Sequence, residues 1–124
     1  MNSILTCKLV AAGAWGPGFT NCQQFSALVN GDSVDPEATV APKPQIIPAN
    51  ERRRAPLPVR LAVETSWQAT QNADIDPQLL SSVFVSGFGD TQLTDYMCRV
   101  LASENKLLSP TKFHNSVHNE AAGY

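Results

Sequence analysis

Prolines crowd one stretch of the chain and limit what it can fold into. Between Asp32 and Pro58 lie six of the nine prolines of the sequence. They are Pro36, Pro42, Pro44, Pro48, Pro56 and Pro58. Because proline lacks a backbone N–H and clashes with the preceding helical turn, no long helix can form here. We therefore expect an extended connector that packs over the surface. A linker between domains is disfavoured, since the residues before it are too few to make a domain.

Helical periodicity appears on both sides of this connector. Residues 21–29 are predicted to form a helix that Asn21 can cap and that Gly31 can end. Residues 57–73, "LPVRLAVETSWQATQNA", predict a longer helix with the broad apolar stripe of a helix lying on a sheet. A third helix is predicted from residue 91, because Asp90 can cap it and apolar residues recur at helical spacing. Those residues are Leu93, Tyr96, Met97, Val100 and Leu101.

Two short apolar runs have the composition of β-strands. The first is Ile4 to Ala14, closed by "WGPG", and the second is "SSVFVSGFGD" at residues 81–90. The order is strand, helix, helix, strand, helix, which is typical of α/β layering with right-handed crossovers. We therefore expect an α/β fold class, with parallel strands and covering helices.

Composition excludes several classes of protein. The 124 residues fit one domain, and a net charge of −2 does not favour a nucleic-acid partner. The apolar run around Lys8 is too short to cross a membrane and lacks the charged start of a signal peptide. Three unpaired, widely spaced cysteines indicate reduced thiols in the cytoplasm: Cys7, Cys22 and Cys98. The only basic run, residues 51–54, is expected to be a solvated helix start rather than a phosphate site.

Two histidines lie four residues apart near the end of the sequence. His114 and His118 would share one face of a helix, which is the spacing found in zinc proteases. Those enzymes require glutamate after the first histidine, where this chain has Asn115, and nothing fixes the position of a third ligand. We therefore expect His114, Asn115, His118 and Asn119 to make structural or interface hydrogen bonds. A metal site is the less favoured interpretation.

Other patterns point only weakly to chemistry. Cys98 could pair with His118 as a nucleophile, but it lies beside an apolar stripe, so a buried structural cysteine is expected. The sequences "SGFGD" and "GAWGPG" lack the lysine of a Walker loop and the third glycine of a dinucleotide loop. Tight turns are therefore expected there. The residues alone predict no catalytic, cofactor-binding or metal-ligating residue, and no cofactor.

Several segments together resemble a known family. They are "ERRRAPLPVRLAVE", "SVFVSGFGD", "TDYMCRVLAS" and "LLSPTKFHNSVHNEAAGY". They are similar to the N-terminal part of β-ketoacyl synthase-like proteins of the thiolase-like superfamily. The branch is that of bacterial aryl-polyene pigment and related type II fatty acid or polyketide gene clusters. The resemblance runs from "GAWGPG" to Tyr124 and is strongest from Glu51 onward, and the last of these segments is its most specific part.

The resemblance implies a fold and a reaction. Ketosynthases have two related βαβαβ-type halves in a five-layered molecule that is normally a dimer. They perform a decarboxylative Claisen condensation, in which a cysteine thiolate accepts an acyl group and two histidines assist decarboxylation of malonyl carrier protein. In the family, the segment similar to residues 109–124 precedes the nucleophile. Residues 1–124 are therefore expected to be a partial domain truncated before that position, and no catalytic residue can be assigned to this chain.

Three hypotheses follow for this chain. The resemblance implies an N-terminal fragment that is inactive alone, whose partners are acyl carrier protein and a second ketosynthase subunit in a homodimer or heterodimer. It implies no nucleic-acid or membrane partner. The alternative is a short non-catalytic protein that docks on a ketosynthase or on acyl carrier protein. The third is a self-sufficient metal or thiol enzyme that uses His114, His118 and Cys98.

Overall fold

Helices form the regular structure of this protein. The computed structural model describes residues 4–103, 107–116 and 120–123. In chain order the α-helices are α1 Cys22–Val29, α2 Ala49–Arg52, α3 Leu57–Ala73, α4 Thr91–Ala102 and α5 Pro110–His114. Short 3-10 helices lie at Pro36–Ala38, Pro77–Leu79 and Glu120–Gly123. The described residues contain no strand, and their only β-type pairing is an isolated bridge between Gly16 and Phe19. The expectation of an α/β fold with parallel strands is therefore wrong for this part of the chain.

The chain divides into two compact units. The first unit comprises Met1–Thr39 and Thr65–Leu80, and the second comprises Val40–Glu64 and Ser81–Tyr124. Helix α3 gives its first half to the second unit and its second half to the first unit. The proline-rich connector is likewise shared between the two units, since its last part begins the second unit.

The main helices begin where the sequence predicts. The side chain of Asn21 accepts a hydrogen bond from the backbone N–H of Gln24 at 2.9 Å, which caps α1. Gly31 follows the last turn of α1 in a left-handed conformation, with φ of 99°. The carboxylate of Asp90 caps α4 by accepting from the N–H of Leu93 at 3.0 Å. Helix α3 has the predicted bounds, and the basic run at residues 51–54 closes α2 rather than starting a helix.

The first predicted strand is irregular chain that lies against α3 in the first unit. The N–H of Ala14 donates to Oε1 of Gln68 at 3.2 Å. Nδ2 of Asn72 donates to the carbonyl oxygen of Ala12 at 3.0 Å. Side-chain amides of α3 therefore bind backbone groups that a sheet would pair with a neighbouring strand. At Ala12 and Ala14, side chains of α3 thus take the place of a neighbouring strand.

Gly13 permits this close approach. A Cβ atom at Gly13 would lie 2.0 Å from the carbonyl oxygen of Thr65, which belongs to the backbone of α3. Only glycine leaves space for the two backbones at that distance. Upstream of this contact the chain is largely exposed, and the side chains of Leu5 and Leu9 face solvent.

The second predicted strand, residues 81–90, is also irregular. Its apolar side chains Val83 and Val85 are 88% and 92% exposed. Within the described part of the chain, no backbone hydrogen bond involves residues 81–85. This segment has the composition of a strand, but no neighbouring backbone pairs with it.

A small core forms inside the second unit. Val59 of α3 is 2% exposed, and Leu93 of α4 is also buried. Pro42 and Pro44 of the connector are fully buried, together with Ile47. The connector was expected to cross the surface, and these prolines instead form part of the core. Burying one such aliphatic side chain stabilises the unit by about 1.5–3 kcal/mol.

Candidate functional site

Asn115 anchors the segment that carries the predicted polar residues. It follows α5 and is 9% exposed, and its Nδ2 donates to the carbonyl oxygen of Arg54 at 3.0 Å. The hydroxyl of Ser109 caps the start of α5. Nζ of Lys112 lies 3.4 Å from the centroid of the Tyr96 ring, which adds a cation–π contact between α5 and α4. These contacts hold α5 inside the second unit.

The histidines were predicted to make structural or interface hydrogen bonds. His114 is exposed, and its Nδ1 lies 3.4 Å from Oδ1 of Asn115, a long contact. His118 and Asn119 lie outside the described residues. Asn115 therefore has a structural hydrogen bond inside the fold, and the interface role of the four polar residues stays a prediction.

The described residues show neither a metal-ligand cluster nor a cysteine paired with a histidine. No cluster of three histidine, cysteine, aspartate or glutamate side chains capable of holding a metal occurs in residues 4–103, 107–116 and 120–123. Cys7 and Cys98 are exposed, which corrects the expectation that Cys98 is buried. Cys22 is the first residue of α1, in the unit that contains no histidine.

A cavity of about 230 Å³ lies within the second unit. Its walls are the start of α3, the chain before α4, the first turns of α4 and the residues that follow α5. The lining residues are Pro58, Val59, Ala62, Phe84, Val85, Ser86, Phe88, Gly89, Asp90, Thr94, Asn115, Ser116 and Ala121. The lining thus combines apolar side chains with several short polar ones.

The polar side chains of this cavity are hydrogen-bonded to backbone groups. Oγ of Ser86 accepts from the N–H of Gly89 at 2.8 Å. Oγ1 of Thr94 donates to the carbonyl oxygen of Asp90 at 2.9 Å. The Asp90 carboxylate already occupies the N-terminus of α4, where it binds Leu93. A phosphate at this helix end would face that carboxylate and be repelled by it. The geometry of "SGFGD" therefore suits a tight turn and not a phosphate-binding loop.

The second unit also carries a concentrated positive charge. Residues 40–64 contain five basic side chains and two acidic ones, in a chain whose net charge is −2. We call the basic set the basic face: Lys43, Arg52, Arg53, Arg54 and Arg60. The one ion pair found among the described residues joins Arg99 to Asp95, and it lies outside this set. The positive charge of the basic face is therefore not neutralised by carboxylates within the described part of the chain.

Two arginines of the basic face are fixed by the buried prolines. Nη1 of Arg52 donates to the carbonyl oxygen of Pro44 at 3.0 Å and to Oε1 of Gln45 at 3.0 Å. Nη1 of Arg60 lies 3.5 Å from the carbonyl oxygen of Pro42. Both arginines therefore contact carbonyl oxygens of the same short stretch of the connector, residues 42–44.

Sequence reasoning identified only part of this arrangement. It considered residues 51–54 as an isolated basic run and did not group them with Lys43 or Arg60. The excess of basic over acidic residues between positions 40 and 64 could have indicated a positively charged surface. The hydrogen bond from Asn115 to Arg54 spans 61 residues and had no local signal.

Comparison with known protein families finds one matching family model. The model for the β-ketoacyl synthase N-terminal domain matches residues 27–124. No curated protein and no solved structure matches the chain. No helix in the described portion is long and apolar enough to cross a membrane. Residues 27–124 include α1 in part, α2 to α5, the basic face and Asn115. This chain belongs to the β-ketoacyl synthase N-terminal domain family.

Proposed function

We propose that the chain is the N-terminal part of a β-ketoacyl-[acyl carrier protein] synthase-like protein. The observation that carries this proposal is the family match over residues 27–124. The whole protein would perform decarboxylative Claisen condensation in the cytoplasm, in fatty acid or polyketide biosynthesis. The resemblance of the four quoted segments to the aryl-polyene branch is the reason for proposing polyene pigment-type biosynthesis as its context.

The chain's own contribution is a scaffold and a docking surface. Condensation needs a cysteine nucleophile assisted by histidines in one site. Cys22 shares no unit with a histidine, and Cys98 is exposed without a hydrogen bond to His114. We therefore place the catalytic cysteine and histidines outside residues 1–124, and residues 1–124 alone are inactive.

Condensation assays test this proposal. Acyl and malonyl carrier proteins are incubated with the 124-residue chain or with the native gene product isolated from its source cells. Mass spectrometry then follows the 3-oxoacyl carrier protein. We expect product only with the native gene product. Product from residues 1–124 would contradict the inactivity of the chain, and no product from either sample would overturn the condensing role.

The basic face is the surface proposed to receive acyl carrier protein. Its cations have no carboxylate partner in the described residues, so an acidic carrier surface would meet charges that are not already neutralised. The guanidinium groups of Arg52 and Arg60 are positioned by backbone carbonyls, which lowers the entropy cost of binding. A second ketosynthase subunit is the other proposed partner, and the segment that carries His114, Asn115, His118 and Asn119 is proposed to lie near it.

Charge-neutralising variants test the docking surface. Arg53 and Arg54 are exposed, so Arg53→Gln together with Arg54→Gln removes charge with little effect on the core. We expect binding to carrier protein to weaken about 5- to 10-fold, corresponding to about 1 kcal/mol or slightly more for two peripheral charges. Arg99→Gln is the matched control, since Arg99 is exposed and lies outside the basic face. Equal effects of the two variants would reject a specific role for the basic face.

A further inference from the structure

The cavity of the second unit has a single charged residue in its lining. That residue is Asp90, and none of the side chains of the basic face belongs to the lining. Oδ1 of Asp90 accepts from the N–H of Leu93, while Oδ2 has no hydrogen-bond or ion-pair partner in the described residues. The N-terminus of α4 offsets about half of the carboxylate charge, so the cavity keeps a negative charge.

Most neutral polar side chains of the lining donate to the protein's own backbone and keep their oxygen atoms as acceptors. The hydroxyls of Thr94 and Ser116 each donate to a backbone carbonyl oxygen. Nδ2 of Asn115 donates to the carbonyl oxygen of Arg54. Oδ1 of Asn115 has only one contact, a long one of 3.4 Å, although this side chain is 9% exposed. The lining therefore offers acceptors to a ligand that brings donors.

An ammonium group matches this set of acceptors. It carries three N–H donors and no acceptor, so it can bind Oδ2 of Asp90 together with neighbouring oxygen atoms. A ligand carboxylate would be repelled by Asp90, and a neutral ligand would leave the carboxylate unpaired. A divalent cation needs several carboxylates, and no metal-holding cluster of three such side chains occurs in the described residues.

The rest of the lining is apolar and partly aromatic. Phe84 is 36% exposed and Phe88 is 88% exposed, so both rings have surface that a ligand can cover. Aromatic ring faces attract cations, and Val59 and Ala62 add aliphatic surface. Pockets for drug-sized ligands measure about 300–1,000 Å³, so the cavity of about 230 Å³ suits a smaller molecule.

These features define the class of ligand. We propose that this cavity binds a small primary amine in its ammonium form, with a compact apolar body. The ammonium group lies against Asp90 and the oxygen atoms of Thr94 and Asn115, and the apolar body lies against Phe84 and α3. This inference goes beyond the ketosynthase proposal and does not depend on it.

An NMR titration of the full 124-residue chain with phenethylamine tests the proposal. We expect a dissociation constant on the order of 0.1–1 mM, which is within the limits for a ligand of so few atoms. The backbone amides of Gly89 and Thr94 and the side-chain amide of Asn115 should shift with one common binding curve. Phenethyl alcohol and hydrocinnamate have the same ring without a positive charge, and they should bind at least about tenfold more weakly.

Variants test whether the carboxylate in the cavity recognises the amine. Asp90→Asn keeps a capping side chain and removes the charge, so phenethylamine should bind at least about tenfold more weakly. Weak binding of phenethyl alcohol should not change. Asp95→Asn is the matched control, because it removes a carboxylate from the same helix, outside the lining. Binding to that variant should stay within about twofold of the unmodified chain.

A second variant addresses the apolar part of the cavity. Ala62→Leu places a larger side chain in the lining, so binding of phenethylamine should weaken. This variant decides the question if circular dichroism shows that Asp90→Asn has lost helix. Butylamine resembles the end of a lysine side chain and fills less of the cavity, so it should bind more weakly than phenethylamine.

Four results would overturn the proposal. They are no shift of the cavity residues with phenethylamine, equal binding of hydrocinnamate, equal weakening by Asp90→Asn and Asp95→Asn, and unchanged binding to Ala62→Leu. Butylamine binding as tightly as phenethylamine would also overturn it, since the site would then suit a lysine side chain of a partner protein rather than a small molecule.

Discussion

Alanine at Gly13 would place a methyl group against the backbone of α3. The new Cβ would lie 2.0 Å from the carbonyl oxygen and 2.9 Å from the carbonyl carbon of Thr65. Backbone inside a helix cannot rotate away, so the chain at Gly13 must move outward. That movement breaks the hydrogen bonds of Ala14 to Gln68 and of Asn72 to Ala12. Overpacking costs about 1–3 kcal/mol and each of the two hydrogen bonds about 0.5–1.5 kcal/mol, so we expect the free energy of unfolding to fall by about 2–6 kcal/mol.

Urea unfolding followed by tryptophan fluorescence measures this loss. Trp15 is two residues from Gly13, so its emission reports on the contact. With a slope of about 2 kcal/mol per molar urea, the urea midpoint should fall by roughly 1–3 M. The corresponding loss of free energy would be a large part of the free energy of unfolding of an ordinary domain, which is about 5–15 kcal/mol.

Substitutions at two other glycines distinguish the effect of a steric clash from the effect of replacing glycine by alanine. A Cβ at Gly87 would meet nothing within 4 Å, so Gly87→Ala should leave the midpoint nearly unchanged. A Cβ at Gly31 would also meet nothing within 4 Å, but its φ of 99° strains alanine, so Gly31→Ala should cost about 1–2 kcal/mol. If Gly13→Ala unfolds at the same urea concentration as Gly87→Ala, the segment does not lie against α3 and the reasoning is refuted.

Three further substitutions probe individual hydrogen bonds. Gln68→Ala removes the hydrogen bonds to Ala14 and Thr20. We expect the free energy of unfolding to fall by about 1–3 kcal/mol and the amide of Ala14 to exchange hydrogen faster. Asp90→Ala removes the cap of α4, which should cost about 1 kcal/mol in a thermal melt followed by circular dichroism, while Asp90→Asn should retain most of it. Asn115→Ala leaves the carbonyl of Arg54 without its partner. We expect about 1–3 kcal/mol less stability in urea, and no loss would show that the segment after α5 is not held there.

The helices could be predicted because their signals are local. Asn21 and Asp90 each accept a hydrogen bond from the backbone N–H three residues further along the chain, and such contacts need no distant residue. The bounds of α3 follow from the prolines before it and the apolar stripe within it. Cap and periodicity therefore determine helix position without knowledge of the tertiary fold.

The strands could not be predicted in the same way, because a strand exists only through a partner. Residues 4–14 and 81–85 have suitable composition, but pairing is decided by residues far away in the sequence. Near Ala12 and Ala14 the amides of Asn72 and Gln68 bind the backbone instead. Residues 81–85 have no backbone partner within the described chain.

For the candidate site, the sequence carried a hypothesis about hydrogen bonding but no geometry. The sequence indicated hydrogen-bonding roles for Asn115 and its neighbours, and Asn115 does make such a bond. It could not indicate that the acceptor is the carbonyl of Arg54, or that Arg52 and Arg60 contact the carbonyls of the buried prolines. Those contacts depend on how the connector packs against α3, which no local pattern encodes.

Buried prolines in the connector have a consequence for protease sensitivity. Trypsin cuts after lysine and arginine, and it needs several residues of chain to leave the fold at the cut. The basic face concentrates such residues where Pro42 and Pro44 are buried and where the side chains of Arg52 and Arg60 are tied to carbonyls. Lys8 lies instead in exposed, irregular chain. Brief digestion should therefore cut after Lys8 well before it opens the basic face, although the basic face contains more cleavable residues.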